Sequence, residues 1–134
     1  MRTTYLRPRW LKPEQHEIAL AEEIVRYAVA VATEHGACGV DVIEVDIGRS
    51  HGVVPEALDI AFERVSQGTL AEGARLIQRT TNIVALCGKC EYLFAPWREV
   101  GPCPRCGQPD ARIIEGQDII IESVSCRTME VADS

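Results

Sequence analysis

Residues 87–107 read CGKCEYLFAPWREVGPCPRCG, and this stretch decides how the chain is organised. Two Cys-x-x-Cys pairs, Cys87-Gly-Lys-Cys90 and Cys103-Pro-Arg-Cys106, stand twelve residues apart. In such a pair the backbone turns around two thiolates, and two pairs facing each other close an S4 cage that suits zinc, or iron in a rubredoxin-like site. Tyr92 and the Cys-Pro-Arg-Cys-Gly segment at 103–107 echo the iron version. Zinc fits better, because most of the chain lies outside the motif and only 5% of its residues are aromatic. Four protein thiolates leave no position for water or substrate, so the predicted metal is structural. About residues 86–110 therefore form a metal-stabilised module.

Working outward, the flanks supply regular elements. On the N-terminal side, Ile18, Ala21, Ile24, Val25, Ala28, Val29 and Ala32 recur at three- and four-residue spacing, which predicts an amphipathic helix over about 14–35 ending at Gly36. Cys38 to Ile47 is Val- and Ile-rich with interspersed Asp41, Glu44 and Asp46, a half-exposed strand whose Val42-Ile43 pair calls for a bulge. Pro55 opens a second helix with Leu58, Ala61, Phe62 and Val65 inward, closed by Gly68. Strands are predicted from about 74 to 85 and from 118 to 124, the module sitting between them as the tip of a long antiparallel hairpin. Residues 1–13, with Arg7-Pro8 and Lys12-Pro13 steps, read as an extended arm, and the tail after Met129 as frayed. The expected class is α+β (α/β), a small mixed sheet of about three strands with two helices plus an inserted zinc-ribbon-like module.

Composition narrows the function classes. A 134-residue chain with 46% hydrophobic and 25% charged residues is an ordinary globular protein, and no apolar run reaches the ~18 residues of a membrane span. The formal net charge of −6 disfavours a polyphosphate backbone as partner, so no nucleic acid is expected. The basic N-terminus is broken by prolines and lacks an apolar core segment, so it is no secretory signal and a cytoplasmic location is expected. A reducing compartment also suits four cysteines at ligand spacing, with Cys38 and Cys126 read as small buried apolar residues. No Gly-x-Ser-x-Gly elbow, phosphate loop or Gly-x-Gly-x-x-Gly turn is present, which argues against an enzyme. His16-Glu17 opens the first helix, His35 closes it, and His51 lies in the loop before Pro55. Each has a plain reading in helix polarity or exposure, and His51 is the one without a local structural role.

Taken together, His16-Glu17, Ile47-Gly48, Gly52-Val53-Val54-Pro55-Glu56-Ala57-Leu58, Ala61-Phe62-Glu63, Gly68-Thr69, Ala71-Glu72-Gly73-Ala74 and the two Cys pairs resemble the HypA/HybF family in one collinear order over about residues 15–125. The resemblance implies a nickel metallochaperone for [NiFe]-hydrogenase maturation. It implies a nickel-binding domain of residues 16–85 and 111–134, a zinc-binding insertion of 86–110, and a family-atypical extension of 1–15. It implies zinc on Cys87, Cys90, Cys103 and Cys106, and transient nickel at His16 and its neighbour Glu17. Expected partners are a HypB-like maturation GTPase and the hydrogenase large subunit, with the chain a monomer or weak homodimer.

In the family the nickel histidine follows the initiator methionine, so that terminal amine, backbone amides and imidazole wrap Ni²⁺ in a square plane. Here Gln15 precedes His16 in a peptide bond. Three readings follow: proteolysis frees an amine, a rearranged site uses His16 with backbone amides and His51, or nickel binding is lost and the scaffold acts as an adaptor. The rearranged site is preferred, because Arg49-Ser50-His51 places a new imidazole where many members have Glu-Leu-Ser.

Overall fold

The computed structural model describes residues 2–6, 9–11, 16–97 and 99–128, with 9–11 described by their backbone. The predicted Gln15 junction and the tail after Met129 lie outside the described residues. The larger sheet is built on β3 (Gly39–Gly48), β4 (Arg75–Thr81) and β8 (Ile119–Arg127). β3 lies in the middle, parallel to β4 and antiparallel to β8. β3, α2 (Pro55–Ser66) and β4 form a strand–helix–strand crossover, which forces the parallel pairing because a helix must return the chain to the starting end.

That crossover corrects one expectation. The strands flanking the metal module do not pair along their length, since β3 separates β4 from β8. The hairpin exists only distally, where β5 (Val84–Cys87) pairs antiparallel with β7 (Ala111–Glu115) and with β6 (Leu93–Phe94) in a separate three-stranded sheet. The predicted strand over 74–85 accordingly breaks at Asn82-Ile83 into β4 and β5.

The bulge expected at Val42-Ile43 lies just before it, as a register shift between Val40 and Val42 against β8, and a second shift at Glu44/Val45 leaves Glu122 of β8 as an extra residue. The first shift leaves Val40, Ile43, Val45 and Ile47 buried. The carboxylates read as the wet face are half-buried and partnered. Asp41 pairs with Arg127, Glu44 lies 4.0 Å from Arg79, and Asp46 accepts from Thr81 Oγ1.

The arm is extended, as its sequence suggests, but it is not free. β1 (Arg2–Tyr5) and β2 (Arg9–Leu11) both run antiparallel along β8, with Arg2 opposite Arg127, Tyr5 opposite Val124 and Leu11 opposite Ile119. Their registers against β8 differ by one residue.

α1 (Glu17–Glu34) and α2 cover the sheet and bury Leu20, Ile24, Ala28, Leu58 and Phe62 against Ile43, Val45, Ile121 and Val124. α1 ends in a Schellman turn: Gly36 has φ +66°, its N–H donates to Thr33 O, and the Ala37 N–H donates to Ala32 O at 2.8 Å. The predicted helix face holds except at Ile18, which points outward at 64% exposure, while Leu20 and Val31 are buried. Helix geometry explains it, because Ile18 sits in the first turn and faces α2's outer side rather than the sheet. Cys126 is buried as expected. Cys38 is exposed, since it lies in the turn after α1 with its thiol near Arg127 O at 3.4 Å. Among the described residues, no core residue of this layer comes from 77–118, so the base packs without the module.

Candidate metal centre

The distal sheet has almost no apolar core of its own: Ile83, Ala85, Cys87 and Cys103 are its buried residues. At its tip the Sγ atoms of Cys87, Cys90, Cys103 and Cys106 all lie within 4.8 Å of one another. Cys87 and Cys106 are 3.6 Å apart at sulfur, as are Cys90 and Cys103. A tetrahedral ion with Zn–S bonds of ~2.3 Å requires sulfur separations of ~3.8 Å, whereas a disulfide requires ~2.05 Å. The cage therefore has the size of a ZnS4 site with its thiols unlinked.

Each pair is shaped for thiolate. The Lys89 and Cys90 N–H groups point at Cys87 Sγ (3.4 and 3.5 Å), and those of Arg105 and Cys106 at Cys103 Sγ (3.3 and 3.5 Å). The amides of Cys90 and Lys89 hold the Cys87 thiol down to about 6, while desolvation pushes Cys90 up to about 12. The site thus favours anionic sulfur at Cys87 and Cys103, one in each pair, and needs a cation's charge to hold Cys90 and Cys106 as thiolates in so close a cluster. Gly107 (φ +76°) turns the chain after the second pair, and its N–H donates to Cys103 O at 2.8 Å. Zinc held by these four sulfurs would supply charge neutralisation and geometry. All four positions of the tetrahedron are protein sulfur, so nothing at this centre is open to substrate.

The residues read as nickel candidates lie in the base. His16 is exposed at the N-cap of α1, and its carbonyl accepts the Leu20 N–H at 2.7 Å. Glu17 Oε2 accepts the Val54 N–H at 3.1 Å, which ties the first turn of α1 to the loop before α2. That bond, followed by Glu17's own amide, holds its carboxyl below the ordinary value. His16, Glu17 and Ile18 line one side of an open groove of about 380 Å³, with Ile60 and Arg64 on the other. His51 sits in a short 3₁₀ turn, Arg49–His51, and its Nε2 donates to Gln117 O at 2.6 Å. Nδ1 is then its free ligand atom. His35 is remote from them, at the far end of α1, with its ring stacked on Tyr5 at 3.9 Å between centroids. Among the described residues the four cysteines are the one group of three or more His, Cys, Asp or Glu side chains that converge as ligands. His16, Glu17 and His51 do not form a ready-made cage.

The 3₁₀ turn has a role that sequence reasoning missed. Gly48 N–H donates to Asp118 O (2.7 Å) and Ser50 N–H to Gly116 O (3.1 Å), alongside the His51 bond. Arg49 Nε donates to Asn82 Oδ1 at 3.1 Å and its guanidinium lies 3.9 Å over the Trp97 ring. The turn thus grips both chain segments that lead into the metal module, at 82 and at 116–118, and touches the module itself through Trp97. In the sequence Arg49-Ser50-His51 reads as a source of imidazole, and nothing local marks it as a clamp.

Comparison with known proteins agrees with this architecture. The family model described as hydrogenase/urease nickel incorporation, metallochaperone, hypA matches residues 15–126. A hydrogenase maturation factor HypA from Picosynechococcus is 38% identical over 109 residues, 81% of this chain and 96% of that protein. Its counterpart from Chlorobium limicola is 36% identical over 110 residues, 82% of this chain and 95% of the relative. The solution structure of the Ni metallochaperone HypA from Helicobacter pylori superposes with a TM-score of 0.61 at 19% identity, covering 86% of this chain and all of that one. A second solution structure of HypA superposes at 0.64. Those two show a shared fold, and the sequence matches show descent: the chain belongs to the HypA family of nickel-incorporation metallochaperones, which carry metal and are not enzymes.

Proposed function

We propose that this chain carries Ni²⁺ to the large subunit of a [NiFe]-hydrogenase during its maturation, in the cytoplasm and together with a HypB-like GTPase. The base, residues 16–85 and 111–134, receives the nickel. The insertion of 86–110 holds zinc on Cys87, Cys90, Cys103 and Cys106 and serves as a shaped, non-reactive platform, and residues 1–15 are an added arm. The observation that carries the nickel assignment is the exposed His16 at the head of α1, next to a carboxylate anchored on the Val54 loop.

His16 is the anchoring ligand in this reading. Its imidazole and adjacent backbone amides suit the square-planar preference of Ni²⁺, and Glu17 orients the turn or adds an oxygen. His51 joins through Nδ1 after the loop adjusts. A site that assembles only on loading suits a carrier, which must also release its cargo. The adaptor alternative is favoured by one observation, the peptide bond that occupies the nitrogen of His16.

Native mass spectrometry and calorimetry of the full chain test the assignment. One zinc per chain without added metal and one further Ni²⁺ on titration are expected, with His16→Ala weakening nickel binding at least tenfold and leaving zinc in place. Unchanged nickel affinity in His16→Ala overturns the assignment. No nickel uptake by the native chain selects the adaptor.

A further inference from the structure

We propose that the arm is a built-in cover for an edge that otherwise pairs with a second copy of this chain, and that its pairing keeps the protein monomeric. Without β1 and β2 the larger sheet would run β8-β3-β4, leaving β8 as an open edge nine residues long. Its sequence, Ile-Ile-Ile-Glu-Ser-Val-Ser-Cys-Arg, carries no proline or glycine to interrupt a ladder. An edge of that length, rich in β-branched residues, is a template for pairing with another chain. The family match begins at residue 15, so the strands that cover this edge lie outside the shared frame.

The arm is fitted to the edge along both halves. Thr4 Oγ1 lies 2.6 Å from Ser125 Oγ across β1 and β8, and Tyr5 stacks on His35 at the end of α1. β2 continues the ladder opposite Ile119 to Ile121. Among the described residues, cover therefore runs from Arg127 to Val124 under β1 and from Ile121 to Ile119 under β2.

A second copy is the occupant that best fits an uncovered β8. β8 carries a bulge at Glu122, so Ile119, Ile121, Val124 and Cys126 share the helix-covered face. Paired antiparallel about a two-fold axis between Glu122 and Ser123, Ile119 faces Cys126, Ile120 faces Ser125, Ile121 faces Val124 and Glu122 faces Ser123. No like charges are opposed, and the two-fold axis normal to the sheet keeps both helical layers on one side. The arm and a second β8 compete for the same backbone donors and acceptors.

The test keeps the full chain and weakens only the arm. In an antiparallel ladder every second residue of an edge strand turns its N–H to its neighbour, so Thr3→Pro with Thr4→Pro removes a donor whichever of the two faces β8. Sedimentation and light scattering should give the native chain a mass near 14.8 kDa and the double variant twice that, rising with concentration. A synthetic peptide of residues 1–11 added in excess should return the variant to monomer. A folded variant that stays monomeric at every concentration overturns the proposal, as does a dimer indifferent to the peptide. Should the variant lose its fold, amide exchange on the native chain decides: slow exchange across residues 2–5 that is independent of concentration supports a cis cover, and fast exchange there overturns it.

Discussion

Gly48 and Gly116 meet where the 3₁₀ turn touches the segment returning from the metal module. A Cβ on Gly116 would stand 2.6 Å from Asn82 O, and one on Gly48 would stand 2.3 Å from Gly116 O, both against backbone that cannot swing away. Gly116 also holds φ at +90°. Gly116→Ala is therefore expected to cost about 1–3 kcal/mol, seen as a lower midpoint in urea. Replacement of Gly52, which also has positive φ but open space around it, is expected to cost less. An equal loss at both sites would show that close packing is not what selects glycine at 116. Glu17 gives a second prediction at this scale. Its carboxyl is held below its ordinary value by the Val54 N–H, so its contribution is complete above the ordinary carboxylate range and is lost as pH falls through the lower folded value. Glu17→Gln should flatten that part of the acid limb in pH-dependent melts and leave stability at high pH nearly parallel to the native curve. The amide bond itself is worth ~1 kcal/mol, since Glu17 is partly solvated.

Among the elements, the sheets divide by what holds them together. The helices and β3 bury a continuous apolar layer that draws on no residue of 77–118, whereas the β5–β6–β7 sheet has four thiols in place of a core. Removing zinc with a strong chelator should thus raise amide exchange across 84–115 and leave 39–48 and 119–127 protected, which hydrogen-exchange mass spectrometry reads directly. Simultaneous loss in both regions would mean that the base depends on the metal. The same division explains what could be read in advance. Helix periods, the Schellman glycine, the bulge in β3 and the cysteine cage are local signals, set by residues within a few positions of each other. The partner of each strand is not local. The position of β4 and β8 on either side of the cysteine pairs suggests a hairpin, although the strand–helix–strand order of 39–81 already favours parallel pairing of β4 with β3. The arm's prolines announce extended backbone but hold no information on pairing with residues over a hundred positions away. Arg49 likewise looks like a loop cation, and only the fold brings Asn82 and Trp97 to it. Arg49→Ala should leave the melting temperature within a few degrees of native, because an exposed cation–π pair is worth ~0.5–1 kcal/mol. It should still widen the range of angles between the two sheets measured by residual dipolar couplings.

At the scale of the molecule, the direction of the arm bears on how nickel can be held. Leu11 lies opposite Ile119, at the end of the sheet where α1 begins, and Arg2 lies opposite Arg127, at the end where α1 finishes. The two positions are separated by the length of β8, about 26 Å at ~3.3 Å per residue. The backbone at residue 2 is consequently carried away from His16, not towards it, and the Thr4–Ser125 and Tyr5–His35 contacts fix that course. An amine at the head of β1 could join His16 on nickel only if both β1 and β2 were stripped from β8. Acetylating the amino terminus of the full chain should therefore leave Ni²⁺ affinity within twofold of native in calorimetry, whereas His16→Ala lowers it by tenfold or more. A large loss on acetylation would mean that the arm leaves the sheet when nickel binds. In that case acetylation should weaken nickel in the native chain, and nickel should speed amide exchange across 2–5, so the two measurements together separate a rearranged site at His16 from an arm that unpairs to reach it.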